Sequence, residues 1–475
     1  YELVEAFYNP MAELDLGHAY AGETSHILDW LYGINLSRGL MSAIKTTGSF
    51  RILSIGRVQG PALKIIVDKE KEILNFKSVP FWQATAVVEN FEYLHPKDIF
   101  DKTELEKFKD IKSGNAQTKE TKENILPPVP FDLTTLQREA YRLHRLSPSK
   151  TLQVAQKLYL DGVISYPRTS SQKIPDQIEP KKILKILAKT FPEVKFATRQ
   201  KPIEGKKEDP AHPSIYPTGE FANLKEESEQ LYNLIVKRFI SAFSPDALTT
   251  NKKVTIIADE NKDITFSANG LSIQEKGWSQ VYPSTLEEKS IPTLNGKVKI
   301  EEVFFEEKET QPPKRYTPAS LVTILEKKNL GTKSTRSAIV DTLFSRGYLD
   351  GKSIQATQLG MKLIDSLEKY SPIIIDENLT RSLEEEMEKI QEATTDFENK
   401  EKQVIEKAKR LINDIAKEFK AKENEIGKEI LSGIIELREQ QKENNTLIEC
   451  PACKKGTLQI RYSKKNRSYF VGCSN

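Results

Sequence analysis

Cysteine is scarce in this chain of 475 residues. Its three cysteines, Cys450, Cys453 and Cys473, all lie near the carboxyl-terminal end. Three thiols confined to one end cannot provide a disulfide framework for a chain of this length. Their scarcity indicates a reducing intracellular compartment, and we therefore expect a cytoplasmic protein.

The sequence also lacks long apolar runs and a large net charge. No run approaches the ~20 apolar residues that a helix needs to cross a bilayer, and no signal peptide opens the chain. We therefore expect no membrane partner. Because 71 Lys and Arg residues nearly balance 68 Asp and Glu residues, any affinity for nucleic acid must come from local basic clusters, such as residues 333–336 and 461–467.

The most informative stretch is residues 161–171, which read DGVISYPRTSS. Apolar residues at helical spacing predict a helix over 151–160, and a short strand over 163–166 then gives way to a loop. Tyr166 is a potential covalent nucleophile, and Arg168 offers a planar guanidinium that matches phosphate oxygens. The pair suits attack on a phosphodiester or clamping of one. A surface turn with a packed tyrosine and a solvated arginine is the alternative.

Two further loops place polar side chains where a phosphate could be held. His212 precedes a proline in a rigid polar loop, where it could contact a phosphate or handle a proton, although a lone histidine is more often structural. Arg57 and Gln59 flank a glycine-rich turn that precedes a predicted helix over 62–72. Helix N-termini bind anions, but simple capping polarity explains these two residues equally well.

A helix-turn-helix pattern spans residues 318–345, and a wing-like segment follows from Gly347. The linker places Ser334, Thr335 and Arg336 at the start of the second predicted helix. Hydroxyls and cations at a helix start suit contact with a DNA backbone, whereas capping by Ser334 is the simpler alternative.

Alternating apolar residues predict strands over 82–88, 254–258 and 264–266. We infer that these strands belong to one β domain, interrupted by a helical module. The last helix of that module is predicted over 231–243, with Arg238 at its centre, and we include Arg238 among the candidate DNA contacts.

The three cysteines have most of the spacing of a zinc ribbon. Cys450 and Cys453 form a CxxC pair, and Cys473 follows after 19 residues. Such ribbons use four ligands, so the metal site is incomplete and we expect weak zinc binding or none.

These segments occur in the order SIGRVQGPAL (54–63), PFDLTTLQREA (130–140), TLQVAQKLYLDGVISYPRTSS (151–171), DPAHPSIYPTG (209–219) and YTPASLVTILEKKNLGTKSTR (316–336). With these motifs the chain resembles a type IA DNA topoisomerase of the archaeal kind. The resemblance implies that Tyr166 is the nucleophile, Arg168 the active-site arginine and His212 the phosphate-contacting histidine. It also implies DNA contacts for the residues named above in the glycine-rich turn and the helix-turn-helix linker.

The resemblance implies a multidomain α+β fold with a toroidal, mostly helical core, in which a helical nucleophile-bearing domain is inserted into a β arch. The expected domains are a helical base (1–75 and 313–443), the β arch (76–129 and 251–312), the nucleophile domain (130–250) and a truncated zinc ribbon (444–475).

The resemblance also implies partners and cofactors. The expected substrates are single-stranded and negatively supercoiled DNA, the expected cofactor is Mg²⁺, and Zn²⁺ is expected only with a complete ribbon. The family holds Mg²⁺ in a Toprim domain with an acidic DxDxE cluster, and no Asp-x-Asp occurs in this chain. We therefore expect a fragment that lacks Toprim and the last ribbon ligand, is inactive alone, and is monomeric and nucleoid-associated.

The activity implied for the intact protein is relaxation of negative supercoils without ATP. One strand is cleaved through a 5′-phosphotyrosine, another strand passes, and the break is religated. The topoisomerase module of a reverse gyrase and a non-catalytic single-strand DNA-binding body are the alternatives. A tyrosine recombinase is disfavoured because no histidine begins a His-x-x-Arg motif.

Overall fold

The computed structural model describes residues 7–8, 14–209, 211–463, 466 and 468–475. It divides into two compact units. The first unit is formed by the chain up to Lys71 and from Arg315 onwards, and the second by Glu72–Lys314. Among the described helices, none is long and apolar enough to span a bilayer.

The second unit contains a seven-stranded antiparallel sheet in the order β6-β3-β4-β5-β2-β1-β7. Its strands are β1 (Pro80–Val88), β2 (Phe91–Leu94), β3 (Ser113–Ile125), β4 (Ala247–Ala258), β5 (Thr265–Glu275), β6 (Gly296–Lys299) and β7 (Glu302–Glu309). The longest pairing joins β3 to β4, from Gly114 opposite Ala258 to Ile125 opposite Ala247.

The three predicted strands lie in one sheet as β1, β4 and β5. β1 does not pair directly with β4 or β5. β4 pairs with β3 and β5, whereas β1 pairs with β2 and β7. β3 lies outside the predicted strands because its sequence is polar and mostly exposed, so it carries little apolar alternation.

A helical module is inserted between β3 and β4. It contains α3 (Leu133–His144), α4 (Pro148–Leu160), α5 (Pro180–Leu187) and α6 (Glu227–Ala242). Asp132 caps α3 by accepting a hydrogen bond from the Thr135 N–H, and Ser147 caps α4 ahead of a proline at its first position. Both caps explain why these helices start where they do. The helices predicted over 151–160 and 231–243 are confirmed, and each begins three or four residues earlier.

The first unit is mainly helical. Its elements are α1 (Leu16–Lys45), α2 (Gln59–Leu74), α7 (Pro318–Lys327), α8 (Arg336–Ser345), the hairpin of β8 (Leu349–Asp350) and β9 (Gln355–Ala356), α9 (Gln358–Tyr370), α10 (Glu377–Gln391), α11 (Phe397–Ala421), α12 (Glu423–Asn444) and the sheet of β10 (Thr446–Glu449), β11 (Thr457–Ser463) and β12 (Ser468–Cys473). One apolar core joins α1 and α2 to the helices α7 to α12.

The helix-turn-helix prediction is confirmed in outline, because α7, a turn at Gly331 and α8 are followed by the β8–β9 hairpin. The alternative in which Ser334 caps the second helix is not observed. Thr335 occupies the N-cap position of α8 and makes no side-chain capping bond, so Ser334 does not cap the helix. In the predicted basic cluster 461–467, Lys464, Lys465 and Arg467 lie outside the described residues.

Candidate active site

The chain that leads to Tyr166 is fixed by hydrogen bonds to the segment around Tyr216. Gly162 adopts φ +77°, a left-handed conformation that suits glycine and ends α4. The predicted strand 163–166 does not form, because only Ile164 makes a bridge, to Pro217. Ser165 is buried and fixes the backbone instead. Its N–H donates to the Tyr216 carbonyl at 2.9 Å, and its hydroxyl accepts from the Tyr216 N–H at 3.0 Å.

The ring of Tyr166 lies between two other rings and is partly exposed. It meets Tyr159 edge-on at a centroid distance of 5.3 Å and the tilted imidazole of His212 at 4.6 Å. Within the described part of the chain, its hydroxyl makes no hydrogen bond to a protein group. A phenol that is held by its ring while its oxygen stays available is suited to nucleophilic attack, provided that a base receives its proton.

Arg168 has an unused hydrogen-bond donor. Its Nε is buried and has no hydrogen-bond partner among the described residues. Leaving a buried donor unpaired is costly, so such groups usually have a ligand or a function. An anion at this position would satisfy the Nε donor of Arg168, a residue that follows Tyr166 by two positions in the sequence.

The hydroxyl groups that follow Arg168 join chain segments together. Thr169 Oγ1 donates to the carbonyl oxygen of His212 at 3.2 Å. The N–H and the hydroxyl of Ser170 both donate to Asp209 Oδ2 at 3.1 Å. Ser171 Oγ accepts from the Lys173 N–H at 3.1 Å. The structure therefore brings Tyr166 and His212 together through contacts that the sequence did not reveal.

Arg238 is buried, and we assign it to packing rather than to DNA contact. Its Nε donates to the Val129 carbonyl at 2.7 Å, and its guanidinium carbon lies 4.6 Å from the Phe131 ring centre and 4.8 Å from that of Tyr282. Burial lowers the pKa of Arg238, and burial likewise raises the pKa of Tyr282, whose hydroxyl donates to Glu139 at 3.0 Å. Only 5% of Arg238 is exposed, which disfavours the predicted DNA contact.

Arg57 lies in the first unit and is also buried. Its guanidinium makes ion pairs with Asp29 at 3.0 Å and with Glu384 at 2.8 Å. Burial raises the pKa of Glu384, and the charge of Arg57 opposes this rise. Gln59 begins α2, and its buried Oε1 has no hydrogen-bond partner among the described residues. A phosphate would therefore have to compete with two carboxylates for Arg57.

The helix-turn-helix linker also uses its polar groups internally. Thr335 Oγ1 accepts from the Thr332 N–H at 3.0 Å, and Arg336 is buried and donates from Nε to the Leu330 carbonyl at 3.2 Å. Ser334 is partly exposed. These residues belong to the first unit, whereas Tyr166, Arg168 and His212 belong to the second.

Three further arginines in the first unit are candidates that the motifs do not single out. Arg51 donates to the Arg346 carbonyl at 3.3 Å, and Arg346 has a buried Nε without a partner among the described residues. Burial lowers the pKa of Arg51, and the nearby charge of Arg438 lowers it further. In the described chain none of the three forms an ion pair, so together they could bind an anion. Their separation in sequence hides this grouping.

The three cysteine thiols come together as their spacing suggests. Their sulfur atoms lie within 4.8 Å of one another, and Cys453 Sγ is 3.4 Å from Cys473 Sγ. The N–H of Lys455, the Cys473 thiol and the N–H of Gly456 lower the pKa of Cys453 to about 6. Three thiols at this separation fit a tetrahedral zinc ion with one position left for another ligand.

Comparison with known proteins decides the family. Residues 13–406 match the family model described as DNA topoisomerase. The chain belongs to the type IA DNA topoisomerases. It is 43% identical to DNA topoisomerase 1 of Pyrococcus horikoshii, covering 100% of this chain and 71% of the relative. It is 42% identical to DNA topoisomerase 1 of Methanocaldococcus jannaschii and 40% identical to that of Methanothermobacter thermautotrophicus. Both alignments cover 100% of this chain, and they cover 63% and 66% of the two relatives, respectively.

A solved structure supports the topoisomerase fold. Full-length topoisomerase I of Thermotoga maritima matches with a TM-score of 0.71 and 24% identity, covering 99% of this chain and 77% of that one. The predicted family and the multidomain α+β fold class are thereby confirmed. The chain spans about two thirds of the length of the three archaeal relatives. Their shared name does not favour the reverse gyrase or the non-catalytic alternative.

Proposed function

We propose that Tyr166 is the nucleophile of a type IA topoisomerase reaction. Its oxygen forms a bond to a DNA phosphorus while the bond from that phosphorus to the 3′ oxygen breaks. The products are a 5′-phosphotyrosine and a free 3′-hydroxyl, and the phenol proton passes to a base. Religation reverses these changes after strand passage, so the relaxation of negative supercoils needs no ATP. The observation that carries the proposal is the buried Nε of Arg168, which has no hydrogen-bond partner among the described residues and follows Tyr166 by two residues in the chain.

Arg168 and His212 have supporting roles in this proposal. The unpaired Nε of Arg168 hydrogen-bonds a non-bridging oxygen of the phosphate and stabilises the charge that builds up there. His212, whose ring lies 4.6 Å from that of Tyr166, contacts the same phosphate.

The described side chains include no group of oxygen ligands for the Mg²⁺ ion that the resemblance implies. In the part of the chain that the structure describes, only the three cysteines are grouped as metal ligands, and Mg²⁺ prefers oxygen ligands. We therefore propose that the Mg²⁺ ligands belong to a Toprim domain outside this chain. The thiols, by contrast, fit Zn²⁺ in a ribbon that has a fourth ligand.

DNA is the partner that the family establishes, and we propose single-stranded DNA, presented by negatively supercoiled molecules, as the form that is bound. Phosphate contacts come from Arg346 and its two neighbouring arginines, with additional contacts from the Ser334 linker. In the ribbon, Tyr469 and Phe470 are exposed and can stack on bases. We further propose a monomeric protein that works in the cytoplasm on the nucleoid.

The test is a covalent trapping experiment with a labelled single-stranded oligonucleotide and Mg²⁺. It compares this chain with a chimera that adds a Toprim domain of the family. We expect a denaturation-resistant adduct from the chimera, and none from the chain alone or from the Tyr166→Phe chimera. Tyr159→Phe is the matched control, because its ring adjoins Tyr166 but is not the proposed nucleophile. An adduct that survives Tyr166→Phe, or DNA binding without any adduct, would refute the proposed reaction.

A further inference from the structure

Two segments that are distant in sequence meet beside the Tyr166–His212 pair. The nucleophile segment comprises residues 166–173, and the histidine segment comprises residues 209 and 211–214. The Thr169 hydroxyl joins them at one point by donating to the His212 carbonyl at 3.2 Å. A second connection involves the side chain of Asp209.

Asp209 accepts hydrogen bonds from both segments. Its Oδ2 accepts from the N–H and from the hydroxyl of Ser170, each at 3.1 Å. Its Oδ1 accepts from the N–H of Ala211, also at 3.1 Å. An ionised carboxylate has two acceptor oxygens and no donor, so it can serve both sets of donors at once, whereas an amide offers only one acceptor oxygen.

We propose that Asp209 is a positioning residue, which holds the histidine segment on the nucleophile segment and thereby keeps the His212 imidazole against the Tyr166 ring. The inference rests on the proposed function, because it concerns the same reaction. His212 follows Asp209 by only three residues, so a shift of this segment moves the imidazole relative to the phosphate. A displacement of about 1 Å can lower a rate by about a hundredfold.

The first measurement is the single-turnover rate of adduct formation by the chimera described above. Asp209→Asn keeps one acceptor oxygen and should slow adduct formation by about tenfold, and Asp209→Ala should slow it more. Oligonucleotide affinity should stay within about twofold, because Asp209 does not contact DNA in this proposal. The matched control is Asp161→Asn, which changes an exposed carboxylate that makes no side-chain hydrogen bond within the described part of this unit.

A double-mutant cycle with His212→Ala tests whether Asp209 acts through the histidine. If it does, Asp209→Asn should have almost no further effect on the rate once His212 is alanine. Equal slowing by Asp209→Asn in both backgrounds would overturn the inference.

Amide hydrogen exchange, measured on this chain without the added domain, provides a readout that does not depend on cleavage. Asp209→Asn should speed exchange in residues 168–173 and 211–216 and leave α6 as protected as in the wild type. Unchanged exchange in both segments, or faster exchange throughout the second unit, would overturn the inference. If the wild-type chimera forms no adduct, the proposed function fails, and hydrogen exchange still decides the role of Asp209: local acceleration supports it.

Discussion

Replacement of Arg238 by methionine should destabilise the second unit without weakening DNA binding. The variant keeps an apolar stem of similar length but loses the guanidinium, which donates to the Val129 carbonyl and lies over the rings of Phe131 and Tyr282. A desolvated cation–π contact contributes about 1–2 kcal/mol, and a hydrogen bond from a charged donor contributes about 1.5–3 kcal/mol. Burial lowers the pKa of Arg238, which shows that desolvation opposes these gains. We therefore expect a net loss of about 2 kcal/mol in the free energy of unfolding.

The assay is denaturant-induced unfolding followed by tryptophan fluorescence, to which the buried Trp278 of the same unit contributes. Arg138→Met is the matched control. The Arg138 side chain is half exposed on α3, and its ion pair with Glu139 is long, at 3.7 Å, so the change should cost less than about 0.5 kcal/mol. Oligonucleotide affinity is measured in parallel. An Arg238→Met protein that unfolds like the wild type but binds DNA more weakly would refute the packing role and restore the role as a DNA contact.

Two other predictions concern the stability of each unit. In the first unit, a Cβ at Gly427 would lie 2.1 Å from the Ala43 carbonyl oxygen, whereas a Cβ at Gly22 within α1 would meet nothing within 4 Å. Gly427→Ala should therefore lower the thermal unfolding midpoint, and Gly22→Ala should raise stability by about 0.5–1 kcal/mol; equal effects of both changes would contradict the packing of α12 on α1. In the second unit, burial raises the pKa of Tyr232 to about 12, and its buried hydroxyl has no hydrogen-bond partner among the described residues. Because the tyrosinate forms more easily in the unfolded chain, the wild type should lose stability as the pH rises from 10 towards 12. Tyr232→Phe should lose less over the same range, since Tyr282 of the same unit, whose pKa burial also raises, is unchanged. The advantage of the phenylalanine variant in denaturant-induced unfolding should be about 1 kcal/mol at neutral pH, and an advantage that stays constant above pH 10 would contradict the burial argument.

Local sequence patterns predicted the helices of the inserted module well, but the strand predicted over 163–166 does not form. The helix ahead of Tyr166 follows from apolar spacing and from Gly162, which are both properties of neighbouring residues. The same kind of pattern did not predict β3. Its residues are mostly polar, and it is a strand because it pairs with β4 and β6. Its residue type made Ser334 an alternative candidate for the helix cap, yet α8 starts two residues later, at Arg336. Capping depends on backbone angles that residue type alone does not determine.

The sequence by itself determined the order of the motifs, and with it the family, the candidate nucleophile and the grouping of the cysteines. It could do so because each motif lies within one short stretch of chain. Only the tertiary structure decided which charged side chains remain available to a ligand. Arg57 is paired with Glu384, which lies 327 residues away, and Arg238 is enclosed by rings from two distant segments. Asp209 became a candidate only when folding placed it on Ser170. The burial of a side chain and its hydrogen-bond or ion-pair partners depend on residues far away in the chain, so no local sequence pattern predicts them.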